Sequence, residues 1–290
     1  MSHHPRGQAE RAEHFRQLHK TERPLVLANA WDAASAHMVA AAGAKAVATS
    51  SGAMSWAHGV QDGGHLHLRT VCTALREIVS VAGDLPVTAD IESGYAQTPK
   101  GVRASVAAVI DAGVVGINIE DSGAPAGSPA APLYTVADMA ARIDAAREAA
   151  QDSGVRLFIN LRTDVYLFGV GHEEGRYDDV ITRARAYQAA GADGLFVPGL
   201  LDLDVLSRIS QATDLPVNAM WLPGAPSPAD LFNAGIARLS VGTALFQSTY
   251  TFAKRVAQSL ISESTYLGLD DALSFGDFNG AFQAKPSGEE

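Results

Sequence analysis

An α/β barrel of eight parallel strands, each followed by a helix, is the fold class the sequence predicts, and two kinds of punctuation carry the prediction. Four helical stretches end in Ala-Gly with a strand-like run directly after: Ala42-Gly43, Ala112-Gly113, Ala190-Gly191 and Ala234-Gly235 precede KAVATS, VVGINIED, ADGLFVPG and IARLSVG. Glycine just past a helix takes up the left-handed conformation that stops it. A second class of strand alternates with the first and is mostly entered through proline: Pro24 before LVLAN, Pro86 before VTAD and Pro216 before VNAM, with Gly154 before VRLFINLR. Strands and helices alternating eight times over this length match a (β/α)8 barrel. The rival is a doubly wound open sheet. Its dinucleotide-binding turn, G-x-G-x-x-G after the first strand, is replaced here by NAWDAAS.

The elements follow in order. Helical apolar spacing predicts helices over roughly 33–42, 66–81, 100–112, 135–152, 177–190, 202–212, 228–234 and 244–260, with a short capping helix over 11–20 ahead of the first strand. The barrel is expected over about 24–262, within a single domain that spans 1–290. Tyr266, Phe275, Phe278 and Phe282 lie in a tail, 263–290, with no barrel unit left to build. An apolar tail of this kind needs another surface, and we read it as a helical oligomerisation segment, with packing on its own barrel as the alternative.

Composition narrows the partners. The 290 residues are 47% hydrophobic, enough for a large core. Twenty-two Lys and Arg against 32 Asp and Glu leave a charge of −10, which disfavours nucleic acid and anionic membranes and favours a small-molecule partner. Cys72 is the single cysteine and falls in a helical pattern, so neither an intramolecular disulfide nor a cysteine metal cluster is expected. No apolar run is long enough for a membrane span, and the polar start MSHHPRGQAERAEHFRQLHK has no signal core, so a cytoplasmic location is expected.

The chemistry of such a barrel lies at the C-terminal ends of its strands. Between Pro86 and Asp121 one β-α-β unit has both strands ending in acid, Asp90 in the first, Glu120 and Asp121 in the second. The right-handed crossover brings both ends to one rim. Carboxylates there suit a hard cation such as Mg²⁺, although acids after strands also serve as helix caps. Arg162, at another strand end, suits bidentate binding of a carboxylate or phosphonate, or else pairs with Asp164 or Glu120. Ser51, Gly52 and Ala53 offer backbone N–H groups to an anion, and Asn218 adds a polar side chain at the same rim. None of the five lysines (Lys20, Lys45, Lys100, Lys254, Lys285) ends a strand, which argues against Schiff-base chemistry.

Ser51-Gly52-Ala53, the Asp62 that follows, TADIESGYA at 88–96, GINIEDS at 116–122 and INLRTD at 159–164 together resemble the isocitrate lyase and phosphoenolpyruvate mutase superfamily, over roughly residues 10–262. The resemblance implies a (β/α)8 barrel, often tetrameric with the eighth helix exchanged between neighbours, and Mg²⁺-dependent making or breaking of C–C or P–C bonds beside a 2-oxo-acid carbon. By position it implies Asp90 and Glu120 as metal carboxylates, Mg²⁺ or Mn²⁺ being the ion, with Asp62 as a further acid holding its waters. It implies Ser51, Gly52 and Ala53 as the substrate-carboxylate loop and Arg162 as the second anion clamp.

Two departures from that family shape the expectation. Many members carry Asp-x-Asp where this chain has Thr88-Ala89-Asp90, with Glu92 as a conceivable substitute. The lyases also place a Lys-Lys-Cys-Gly-His run after the fourth strand, whereas SGAPAGSPAAPLY at 122–134 holds no cysteine, lysine, histidine or asparagine. A proton donor would then be metal-bound water, Tyr134, or a residue such as His172. The expected function is decarboxylation or retro-aldol cleavage of a small 2-oxo diacid by a homo-oligomer, dimer or tetramer. A phosphonate hydrolase or mutase and a non-catalytic 2-oxo-acid-binding barrel are the alternatives.

Overall fold

A computed structural model describes residues 7–21, 23–123, 133–266, 268–270 and 272–282. The chain separates into two compact units, Met1–Thr243 and Ala244–Glu290. The first contains the strands β1 (Leu25–Leu27), β2 (Asn29–Ala30), β3 (Val47–Thr49), β4 (Val87–Asp90), β5 (Gly116–Glu120), β6 (Phe158–Arg162), β7 (Gly194–Phe196), β8 (Val217–Met220) and β9 (Arg238–Ser240). All pair in parallel, in the order β1-β9-β8-β7-β6-β5-β4-β3-β2. β1 and β2 are halves of one strand parted at Ala28, and the sheet closes because β9 pairs with the first half and β3 with the second. This is the predicted eight-stranded barrel.

Local chemistry sets the helix starts. Asp32, Thr98, Thr135, Asp202 and Ser227 each accept a hydrogen bond from a backbone N–H of the first turn, and Pro99 and Pro228 occupy first-turn positions where no donor is needed. The long helices Leu68–Ala82, Pro99–Asp111, Val136–Ser153 and Arg176–Ala189 then fall within two residues of their predicted bounds. One helix, Ser51–Ala57, was not predicted. Its small residues carry no helical period, and it forms because Ser50 caps it and the strand end positions it.

The amino-terminal helix, Gln8–Leu18, plugs the end of the barrel away from the rim acids. Phe15 is fully buried and meets His19 edge-on at 4.8 Å, and His19 stacks on Phe158 of β6 at 4.0 Å. Two strand glycines make room for them. A Cβ on Gly116 would stand 2.7 Å from the Phe15 ring, and one on Gly194 would stand 2.6 Å from Asn160 Oδ1 and 3.0 Å from the Phe158 ring. Arg16 then closes the seam on Asp193 at 2.8 Å, and Arg147 joins the same carboxylate.

The second unit comprises the helix Ala244–Gln258, a π-helical turn Ser259–Glu263 and the short helix Phe275–Ala281. No residue of Ala244–Gln258 is buried, and Tyr266 and Phe275 are largely exposed. No described helix is long and apolar enough to cross a membrane.

His19 gives the plug a pH signature. Its Nδ1–H donates to the Phe15 carbonyl at 2.8 Å, and burial, helped by the nearby Arg238 charge, drives its pKa down to about 3. Below the ordinary value of 6.5 the unfolded chain gains a proton that the folded chain refuses, so stability falls as pH drops from 6.5 towards 3. At pH 5 the deficit is about 2 kcal/mol. Urea unfolding of His19→Gln should lack this loss between pH 7 and pH 5, and an unchanged slope would show that His19 is protonated in place.

Candidate active site

Because side chains alternate along a strand, the inward residues of β4, β5 and β6 rise to the rim in steps of two. Asp90 ends β4, Glu120 ends β5 and Arg162 ends β6, with Glu120 and Arg162 directly paired in register. Arg162 extends a fork. Its Nη1 meets Glu120 Oε2 at 2.9 Å and its Nε donates to Asp164 Oδ1 at 2.6 Å. Burial works against the guanidinium charge, but Glu120, Asp164 and Asp90 outweigh it and hold Arg162 more firmly charged than usual. Burial pushes the Glu120 carboxyl upward against the pull of Arg162, and Ser122 donates to its other oxygen at 2.7 Å.

Beside this pair lies a cavity of about 140 Å³, lined in part by Ser51, Gly52, Asp62, Asp90, Asn118 and Arg162. A larger hollow, about 530 Å³, opens by the amino-terminal helix, where Arg16, Arg156, Asp193 and Glu13 already pair with one another. The rim cavity has the reactive groups. Asp90 Oδ2 accepts from both the Ser51 N–H, at 3.2 Å, and the Ser51 hydroxyl, at 2.9 Å. The Ser51 donors are therefore turned onto an acid of the site, while the Gly52 N–H, on the first turn of Ser51–Ala57, has no acceptor within its helix. A Cβ on Gly52 would stand 2.9 Å from Asp62 Oδ2, so any side chain here would displace that carboxylate.

Asp62 and Glu92 bring further negative charge. Burial and then Asp90 raise the Asp62 pKa, and burial with Asp90 and Asp62 lifts Glu92 to about 7. Glu92 and Tyr95 hold left-handed φ angles of 51° and 53° in the turn after β4. The buried Arg142 sustains that turn by donating to the carbonyls of Ser93, Ala96 and Gln97. Asp121 faces away from the cavity. It is fully buried, accepts from Arg183 at 3.1 Å and from the Asp164 N–H at 3.0 Å, and burial raises its pKa to about 6.

The structure thus brings Asp62, Asp90, Glu120, Arg162, Ser51 and Gly52 to one mouth. Ala53 and Asn218 are buried behind the wall, and Thr88 sits two residues below Asp90 in the barrel interior. The Tyr134 ring lies over the Arg142 guanidinium at 4.0 Å and is not part of the cavity wall, and His172 is exposed at the start of the short helix Glu173–Gly175. Residues 124–132 of the segment 122–134, where the lyases carry their Lys-Lys-Cys-Gly-His run, lie outside the described residues. Sequence reasoning missed Arg142, Asn118 and Arg238; for the last two the signal was their place two residues before Glu120 and Ser240 on the same strand face.

A closed parallel barrel with carboxylates and one arginine at its C-terminal mouth has its polar groups where barrel enzymes carry their active sites. The chain belongs to the phosphoenolpyruvate phosphomutase family, whose model matches residues 15–261, and so to the isocitrate lyase and phosphoenolpyruvate mutase superfamily of carbon–carbon lyases and mutases. An uncharacterised protein of Mycobacterium tuberculosis is 34% identical over 246 residues, 85% of this chain and 88% of that one. An oxaloacetate decarboxylase of Pseudomonas savastanoi is 32% identical over 191 residues, 62% of each protein. A Burkholderia cenocepacia crystal structure with a provisional phosphonomutase name is 43% identical, covers 87% of this chain and 100% of its own, and superposes with a TM-score of 0.80.

Replacing Arg162 by Met should leave Glu120 and Asp164 buried without their counter-charge and cost about 3–5 kcal/mol. Urea titration at neutral pH measures the loss, and a midpoint equal to wild type would show that the fork does not hold the strand ends.

Proposed function

We propose that the chain is a Mg²⁺-dependent lyase that cleaves a C–C bond of a small 2-oxo diacid, by decarboxylation or retro-aldol cleavage through an enolate. The observation that carries this is the rim cavity of about 140 Å³, on the scale of a small organic acid and lined by Arg162, Gly52, Asp62 and Asp90. The oxaloacetate decarboxylase relative supports the same chemistry.

The residues fit a divalent ion. Asp62 Oδ1 and Glu92 Oε1 are buried without a hydrogen-bond partner, and oxygen-only donors suit a hard cation. Among the described residues no three such side chains stand close enough to hold an ion alone, which agrees with one or two direct carboxylates and water. Asp90 and Glu120 would hold it, with Asp62 gripping its waters, and the ion would supply Lewis-acid polarisation of the 2-oxo group. Arg162 orients the substrate carboxylate. As the bond to C3 breaks, its electron pair enters the C2 carbonyl and builds charge on that oxygen, close to the Gly52 N–H and the Arg162 charge. Carbon dioxide leaves without a proton from the protein, so the step needs no loop acid. The enolate then takes a proton at C3 from solvent water.

A second reading, P–C bond chemistry on a phosphonate, draws on the phosphonomutase name of the Burkholderia structure. Turnover assays separate the two. We expect pyruvate and CO₂ from oxaloacetate-type substrates, no phosphate from phosphonates, and no glyoxylate from isocitrate or 2-methylisocitrate. Excess chelator should abolish turnover, and Glu120→Gln should weaken the Mg²⁺ response more than Asp121→Asn. Full activity in chelator, or glyoxylate release above about 1 s⁻¹, would overturn the reading.

We also propose a homo-oligomer, dimer or tetramer, built on the second unit, since Ala244–Gln258 buries no residue while Tyr250 and Phe252 are half exposed. Light scattering should give a multiple of the 30.3 kDa chain mass, and removal of residues after Leu260 should lower it. A monomeric full-length chain would refute the assignment.

A further inference from the structure

Below the rim acids the barrel axis is polar, and it holds a cation with no carboxylate beside it. Arg238, the first residue of β9, is 1% exposed and forms no ion pair with a described acid. Its Nη2 donates to Asn118 Oδ1 at 3.1 Å, while Nε and Nη1 are buried without partners. The same Asn118 oxygen accepts from Asn160 Nδ2 at 2.9 Å, and that amide also donates to Asn218 Oδ1 at 3.1 Å. Asn218 in turn donates to the Ser240 hydroxyl at 3.1 Å and to the Arg238 carbonyl at 3.2 Å. Strands β5, β6, β8 and β9 are thereby tied across the axis.

This network decides which way Asn118 points. A guanidinium only donates, so the atom it meets must be the amide oxygen. Both acceptor directions of that oxygen are taken from below by Arg238 and Asn160, and the planar amide must turn its Nδ2 the other way. Asn118 lines the rim cavity with Asp62, Asp90 and Arg162, and its Nδ2 makes no hydrogen bond to a described residue. Without Arg238 only the Asn160 Nδ2–H still holds that oxygen, and a flip of the amide costs one hydrogen bond where it had cost two, since oxygen and nitrogen differ little in shape. A flipped Asn118 would present an acceptor to a cavity already crowded with carboxylates.

We propose that Asn118 donates from Nδ2 to an acceptor oxygen of the substrate in the rim cavity, and that Arg238 is a positioning residue that fixes this donor through the amide oxygen. The inference rests on the reading that the cavity takes a 2-oxo acid, and it names the group that recognises it from the barrel axis. Anionic oxygens are the matching chemistry. A neutral N–H beside Asp62 and Asp90 adds a donor without adding charge, and Arg162 already shares two of its nitrogens with Glu120 and Asp164.

Oxalate, a planar dianion with the O–C–C–O arrangement of a 2-oxo carboxylate, serves as the probe, with Mg²⁺ present and binding measured by calorimetry. Asn118→Ala and Arg238→Met should each weaken oxalate by about 10-fold or more, the loss of one hydrogen bond to a charged group. The double variant should be no weaker than Asn118→Ala alone, because Arg238 acts through Asn118. Arg238→Lys, which keeps a donor and the charge, should recover part of the affinity. Melting curves of every variant report folding, and if Arg238→Met does not fold, the Arg238→Lys and Asn118→Ala pair completes the cycle. Additive losses, or wild-type affinity in Asn118→Ala, would overturn the inference. So would failure of the wild-type protein to bind oxalate. Oxalate binding with the predicted non-additivity but no turnover of any 2-oxo acid would uphold the inference and count against the lyase reading alone.

Discussion

The fork of Arg162 onto Glu120 and Asp164 is the constraint on which the mouth of the barrel depends. It joins the ends of two paired strands, at the one place where the register sets an acid directly opposite a base. The fork also limits what the rim can tolerate. Asp62, Asp90 and Glu92 gather nearby with no second arginine among the described residues of the cavity wall, and burial raises the pKa of Asp62 and lifts Glu92 to about 7. Excess negative charge in a poorly solvated place is unfavourable in the free protein and is relieved by a divalent cation.

Beneath the mouth, charge is handled differently. The axis is filled with amides, and its single guanidinium is satisfied only in part by Asn118. Burial lowers Arg238 to about 9, which still leaves it charged at neutral pH. Rim and axis therefore carry opposite excesses, separated by one layer of asparagine. Glycines set the shape of both layers: Gly52 lets Asp62 close on the helix at the rim, and Gly116 and Gly194 let the aromatic plug enter from below.

Much of this was legible in the sequence, for physical reasons that can be named. The barrel announced itself because each helix stop and each proline-led strand is a local event. Asp90, Glu120 and Arg162 were legible because they end their strands, and the end is where a barrel exposes side chains to a ligand. Whether Arg162 clamps a substrate or pairs with its neighbours was open from sequence, and the structure shows it paired with both Glu120 and Asp164. Arg238 stayed hidden because an arginine at the start of a strand reads as solvent-facing, and only closure of the sheet turns it onto the axis. Ser51–Ala57 was hidden for a related reason: small residues show no period, and the helix owes its start to Ser50 and its place to Asp90.

The plug and the closing seam also constrain how the chain comes into being. Leu25 pairs with Arg238, and Arg16 meets Asp193 across 177 residues, so the earliest segments of the barrel find their partners among its last. Until β9 has emerged, β1 is an unpaired edge. Contacts this distant in sequence form late and slowly, and open strand edges invite wrong pairing in the interval. The barrel therefore closes only when its final strand is in place, and until then the β1 edge stays open.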